Sequence, residues 1–411
     1  MLCKRIDRSL RHGFIIINCF VLLLCAGCKK ADTSRIKIEP AGTGSDAVME
    51  ECQSEEELIC ICVPYYEEAA KENKFDDLET VRAIVKQLGE HGFSAVDNQN
   101  QVDMASPEQV IRFCSSVEEK RTDSVLVVQI TYGGGFVTYE LTTENGIVDV
   151  CRNIYQFEND KMVLRDSGNY TVENWNYSED GYLMFSGTWT SEQTYMLMLS
   201  ETEEHTALRI KSLDETCREL NRKYILPIGY QENNMFLSDW DEDDFLKLNF
   251  YDVFDIFYPM VYGQEVPYTA DEDITAGAVY QIPEDEFEGV IQRYFNIDSE
   301  RLKKFTLFQT ENCTYEYKPR GFYEWEYPEY PYPEVVDYTE NKDGTISLTV
   351  NVVFPYEDNS NVYTHEVKVR PLKDGGVQYV SNKVLTPADA YDTTWHIPRL
   401  SEEEWESLYA R

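Results

Sequence analysis

Apolar side chains return every three or four positions along residues 78–92, where Leu78, Val81, Ile84, Val85 and Leu88 make one stripe and Gly89 and Gly92 close it. That spacing predicts an amphipathic helix. A second helix is predicted from Ser106, with Pro107 in its first turn, Gln109 at the capping-box position and Val110, Phe113 and Val117 as its buried side. The period then changes to two. Residues 124–131, 136–143, 147–155, 162–172, 182–190, 195–199 and 206–210 read as successive strands. Asn145-Gly146 and Asp180-Gly181 are hairpin dipeptides, so an antiparallel meander is expected. A helix near 214–222 and an aromatic, acidic stretch to Tyr258 complete this region.

Residues 263–281 carry Pro267, Gly277 and Asp271-Glu272-Asp273 without a clear period, which places a linker there. Beyond it, Pro283 opens a helix with Phe287, Val290, Ile291 and Tyr294 on one face, and Asp298 caps a short second one. Strands follow at 314–318, 334–339, 345–353, 362–370 and 377–384, with hairpins at Asp343-Gly344 and Asp374-Gly375. The tail holds a capping box from Ser401 to Glu404. The expected architecture is α+β, in two domains, each with N-terminal helices packed on an antiparallel β-meander sheet. The expected division is a leader at 1–27, a tether at 28–56, domains at 57–262 and 283–386 joined by 263–282, and a tail at 387–411.

Lys4, Arg5, Arg8 and Arg11 precede an apolar run from Phe14 to Leu24, too short to span a bilayer and suited to a secretory leader. The run ends Leu24-Cys25-Ala26-Gly27-Cys28, which resembles the lipobox of bacterial lipoproteins, with Cys25 where that motif carries Leu, Val or Ile. The resemblance implies cleavage before Cys28, acylation of its thiol and a chain held on the extracytoplasmic face of the membrane, since two acyl chains anchor stably. Of the cysteines beyond it, Cys60-Ile61-Cys62 has one spacer where zinc pairs have two or more. Both are expected to be buried small hydrophobes, with a Cys52–Cys60 bridge as the alternative.

Composition narrows the partners. With 37 Lys+Arg against 75 Asp+Glu the net charge is −38, which disfavours nucleic acid and anionic lipid surfaces. Asp239-Trp240-Asp241-Glu242-Asp243-Asp244 is dense in acid but lacks the EF-hand glycine and terminal glutamate, so the expectation is a helix capped by Ser238 with acids in its first turn. The four histidines past residue 28, His91, His205, His365 and His396, have no metal-pair spacing, and no metal or cofactor is predicted. Tyr132-Gly133-Gly134-Gly135-Phe136 reads as a wide hairpin turn. Trp175, Tyr177, Tyr182 and Trp189 read as cross-strand core pairs.

The most unusual stretch is Phe322, Tyr323, Trp325, Tyr327, Tyr330 and Tyr332, six aromatics within residues 322–332, interleaved with Glu324, Glu326, Glu329 and prolines. The prolines make it an extended arm. It either folds its rings back over the sheet or presents them as a binding surface for a protein or a glycan. A glycosidase would need two carboxyls fixed on a rigid cleft, for which a proline-broken arm is a poor mount.

Cys217-Arg218-Glu219-Leu220-Asn221-Arg222-Lys223-Tyr224-Ile225-Leu226-Pro227-Ile228-Gly229-Tyr230, with Asn233-Asn234-Met235-Phe236 and Leu248-Asn249-Phe250-Tyr251-Asp252, resembles a family of uncharacterised lipoproteins of Gram-positive bacteria. The resemblance extends through the second region and implies membrane anchoring without any assigned chemistry. The leading functional expectation is a non-catalytic binding or scaffold module anchored at Cys28. Alternatives are a wall or glycan hydrolase using acidic-loop carboxylates and a substrate-binding subunit of a transporter.

Overall fold

The computed structural model describes residues 55–189, 196, 202–270, 276–326 and 329–409. Two compact units divide at Asn169/Tyr170. The fold is α+β, with mostly antiparallel sheets.

The first unit contains helices α1 (Glu55–Glu72) and α2 (Leu78–Glu90), strand β1 (Ser94–Asp97), helix α3 (Pro107–Glu118) and strands β2 (Asp123–Thr131), β3 (Gly135–Glu144), β4 (Ile147–Glu158) and β5 (Lys161–Thr171), the last crossing the division. Its sheet runs β1-β2-β3-β4-β5. Leu58, Cys62 and Tyr66 of α1 join Val81, Ile84, Val85 and Leu88 of α2 over Val128, Ile130 and Phe136. The even positions of β2 therefore face these helices, while Val125 and Val127, also buried, point to the other side. At the β3–β4 turn Asn145 and Gly146 both have positive φ, 56° and 84°, as the mirror-image turns of tight hairpins demand.

Two features depart from the expected meander. β1 pairs in parallel with β2, Ser94 opposite Val127, and α3 makes the crossover that parallel neighbours require. The Cys60/Cys62 pair lies on a helix, where one spacer separates two thiols by about 200° around the axis. Cys62 is buried and Cys60 exposed, and all six described cysteines are free thiols. Cys52 lies outside the described residues.

The second unit opens with β6 (Asn174–Tyr177), β7 (Tyr182–Trp189) and β8 (Thr202–Arg209), a three-stranded sheet. It continues through α4 (Glu215–Leu220), a π-helical turn at Asn221–Ile225, β9 (Trp240–Asp241) and α5 (Phe250–Tyr262). Next come β10 (Tyr280–Pro283), α6 (Glu284–Tyr294), α7 (Ser299–Leu302), β11 (Phe308–Gln309) and β12 (Thr314–Tyr317). The chain finishes with β13 (Tyr332–Glu340), β14 (Ile346–Val353), β15 (Thr364–Pro371), β16 (Val377–Val384) and α8 (Glu402–Tyr409). The main sheet is ordered β13-β14-β15-β16-β9, antiparallel throughout.

The compact units divide at Asn169/Tyr170, whereas the sequence pattern placed a linker at 263–282. The meander does not continue past β5 as one sheet. β6–β8 form a separate sheet that buries Tyr182, Met184 and Ala207 with Val353 of β14. Its polar groups follow: the Tyr182 hydroxyl donates to Glu334 at 2.6 Å, and Arg209 Nη1 reaches the other oxygen of that carboxylate at 2.5 Å. Residues 174–262, read from sequence as part of the first domain, thus serve the second core.

Two further expectations change here. Ser238 begins no helix. Trp240 and Asp241 form an edge strand opposite Asn382 and Ser381, and Asp241 Oδ1 accepts the N–H groups of Asp243 (2.8 Å) and Asp244 (2.9 Å), so the acids shape a turn. Residues 250–262 form α5, a helix apolar on nearly every side and therefore buried, which hides its 3.6 period. Asn249 caps it by accepting from Tyr251 and Asp252, and Gly263, at φ 70°, ends it. Phe254 stacks on Phe287 of α6 at 4.9 Å, and Phe257 on Tyr294 at 4.0 Å.

Candidate aromatic binding surface

The arm after β12 alternates in a way composition does not reveal. Phe322, Tyr323 and Trp325 are 56%, 40% and 63% exposed, whereas Glu324 and Glu326 between them are buried. The rings face outward and the acids face inward.

Each inward carboxylate is a staple. Glu324 accepts the N–H of Gly321 at 3.0 Å and that of Leu400 at 2.9 Å. Glu326 accepts from Ile397 N–H at 3.0 Å with one oxygen and from Glu232 N–H at 2.7 Å with the other, and His396 Nδ1 lies 2.8 Å away. The arm and the segment 396–400 are thereby sewn together. An ionic core beneath them completes the join. Arg320 grips Asp252 with Nε and Nη2, both at 3.2 Å, and donates Nη1 to the Ile397 carbonyl at 2.8 Å. Arg399 reaches Asp252 at 2.9 Å and also pairs with Asp255, whose other oxygen takes the Tyr317 hydroxyl at 2.7 Å. Charged groups this deeply buried persist only when paired in this way.

The tail supplies two rings to the surface. Tyr409 meets Tyr323 edge-on at 5.2 Å between centroids, and Trp405 lies 5.4 Å from Tyr409. Phe322 contacts Tyr323 at 5.4 Å, so Phe322, Tyr323, Tyr409 and Trp405 form a continuous row. Lys318 Nζ rests 4.5 Å from the centroid of Trp405 at one end and pairs with Glu402 and Glu316. The capping box of α8 is formed as expected: Glu404 accepts from both the N–H and the hydroxyl of Ser401. The sequence pattern marked that helix, and Trp405 and Tyr409, four residues apart, share one of its faces. Nothing local announced that this face would dock on the arm.

Tyr330 and Tyr332 take a different role. Both are half-buried, Tyr330 against the main core and Tyr332 against the Tyr182–Val353 cluster. They belong to the folded-back part of the arm, so the five described rings divide between the two roles. Tyr327 and Cys28 lie outside the described residues.

The arm's carboxylates are engaged in the fold. Glu324 and Glu326 spend their oxygens on backbone amides. Ser186, Asp358 and His205 do come together, with Nδ1 of His205 3.5 Å from Asp358. Ser186, however, is fully buried, donates to Asp358 at 2.7 Å and accepts from Asn174 at 3.0 Å, so its hydroxyl faces no imidazole base and no substrate. His365 is enclosed in the core, and burial lowers it to about 4, so it is neutral. Among the described residues no group of three or more His, Cys, Asp or Glu could hold a metal ion, and no helix is long and apolar enough to cross a membrane.

A family of unknown function, DUF6070, matches residues 47–399. The chain belongs to this family. The DUF6070 match takes in the arm, its two glutamate staples and Arg399, and it stops before α8. No curated protein and no solved structure matches this DUF6070 chain.

Proposed function

We propose that this chain is a membrane-anchored extracytoplasmic binding module, held by acyl chains on Cys28 and presenting Phe322, Tyr323 and Trp325 to a partner. The carrying observation is the stapled arm. Three large rings exposed on a backbone already fixed by buried carboxylates lose little further conformational freedom on binding. Isolated exposed apolar residues need no explanation, but a contiguous ring row flanked by a buried anchor suits an interface hot spot. The basic N-terminal residues, the apolar run and the Leu24–Cys28 motif support the anchor.

Two experiments test the reading. Metabolic labelling with a fatty-acid analogue should mark the parent chain and not Cys28→Ala, which should also leave the membrane fraction. In-cell crosslinking should recover a specific partner with the parent chain and lose it with the F322A/Y323A/W325A variant. Substitution is preferable to deleting the arm, because deletion also removes the Glu324 and Glu326 staples. Recovery unchanged by the triple substitution refutes the surface assignment.

A further inference from the structure

Resting on that binding reading, we propose that the exposed rings of the arm, Phe322 and Tyr323 of the row and the neighbouring Trp325, select a basic partner: a lysine- or arginine-rich segment of another protein, whose cations lie over their faces. Ring faces are negative and attract ammonium and guanidinium groups. The row already holds one such group of its own. Lys318 sits over Trp405 at 4.5 Å with Glu402 and Glu316 bracketing its charge, an aromatic face with carboxylates at its edge.

The surroundings extend the same chemistry outward. Among the described residues of the arm and tail, the Lys and Arg side chains are Lys318, Arg320 and Arg399, and each is held by carboxylates: Lys318 by Glu316 and Glu402, Arg320 by Asp252, Arg399 by Asp252 and Asp255. Glu329, Glu403 and Glu406 are exposed on the same two segments. Glu406 precedes Tyr409 by three positions and so lies on the helix face that carries the row. The net charge of −38 adds long-range attraction for a cation and repulsion for an anion. A neutral sugar would use the rings and ignore the acids, whereas a basic segment uses both.

The test titrates a labelled oligolysine peptide into the intact chain by fluorescence anisotropy, at low and at physiological salt. F322A/Y323A/W325A keeps the net charge unchanged; because Tyr323 also receives Tyr409 of α8, a thermal melt and the single variant W325A serve as controls. The ring variant should bind about tenfold or more weakly. E403Q/E406Q should weaken binding and flatten its salt dependence. Oligolysine binding equally well to the ring variant and the parent would show attraction by net charge alone and overturn the proposal. Binding of a neutral N-acetylglucosamine oligomer, ring-dependent, with no oligolysine binding would overturn the cationic ligand class while leaving the binding surface standing. Failure of the surface itself reads differently: crosslinked partners would be unchanged by the ring substitutions.

Discussion

The Tyr230 hydroxyl lies 2.8 Å from Nε2 of His365 in the second unit's core. The other ring nitrogen, Nδ1, is 2.7 Å from Asn382 Oδ1, and Asn382 is oriented by donating its Nδ2 to the Ser238 carbonyl at 2.9 Å. An acceptor therefore faces Nδ1, which carries the proton, and Nε2 accepts from tyrosine. The imidazole is held neutral, lowered from 6.5 to about 4 by burial, with the Asn382 hydrogen bond opposing the shift.

The sign of the pH effect follows. Below about pH 6.5 the unfolded chain takes up a proton at His365 that the folded chain refuses until about pH 4. Stability contributed by this group is present above pH 6.5 and is lost as pH falls through that window, up to about 3 kcal/mol. Urea melts of the second unit's transition at pH 7 and pH 4.5 should show the loss. His365→Gln, less stable at neutral pH, should lose less over the same interval.

Glu326→Ala should free the segment 396–400. The substitution orphans the N–H groups of Ile397 and Glu232 at a cost of about 2–4 kcal/mol. Limited proteolysis should then cut in the C-terminal segment first. Phe322→Ala, on the adjacent outward face, should change the melting free energy by no more than about 0.5 kcal/mol.

Arg209→Met should be among the more damaging single changes. It leaves Glu334, 7% exposed at its side chain, facing Tyr182 without its counter-charge. Burial already raises that carboxyl, against the pull of Arg209. Loss of a buried partner costs about 3–5 kcal/mol, and R209M/E334L should recover much of it, a non-additivity that a double-mutant cycle by chemical denaturation would read.

Gly277→Val should lift α8. An added Cβ at Gly277 collides with the Trp405 ring and falls 2.7 Å from Tyr409 Cβ. No residue of α8 is fully buried, so the helix should detach while the core melts unchanged. Faster hydrogen exchange across 402–409, with no change across α5, would confirm it.

What the sequence made legible follows from how local each signal is. The strands 377–384 and 147–155 and their neighbours were readable because alternation and Asn-Gly or Asp-Gly turns act over a few residues. β1 was not, since four residues carry too little pattern, and α1 was obscured by Pro64 and its weak stripe. α5 lost its period to uniform burial. The unit division escaped because it depends on which face of β7 finds Val353, some 170 residues away. At the candidate surface, the rings of the arm stood out by composition, but the inward turn of Glu324 and Glu326 and the arrival of Trp405 and Tyr409 are tertiary events with no local signature.

The alternation along 322–326 separates two kinds of constraint within five residues. The glutamates answer to the fold, because backbone amides from three other places in the chain depend on them. The outward rings carry no such backbone load, although Tyr323 also receives Tyr409 of α8. Such a segment holds its backbone through the glutamates whatever outward side chain Phe322 is exchanged for, so recognition can drift from one chain to another of this architecture while the scaffold beneath stays put.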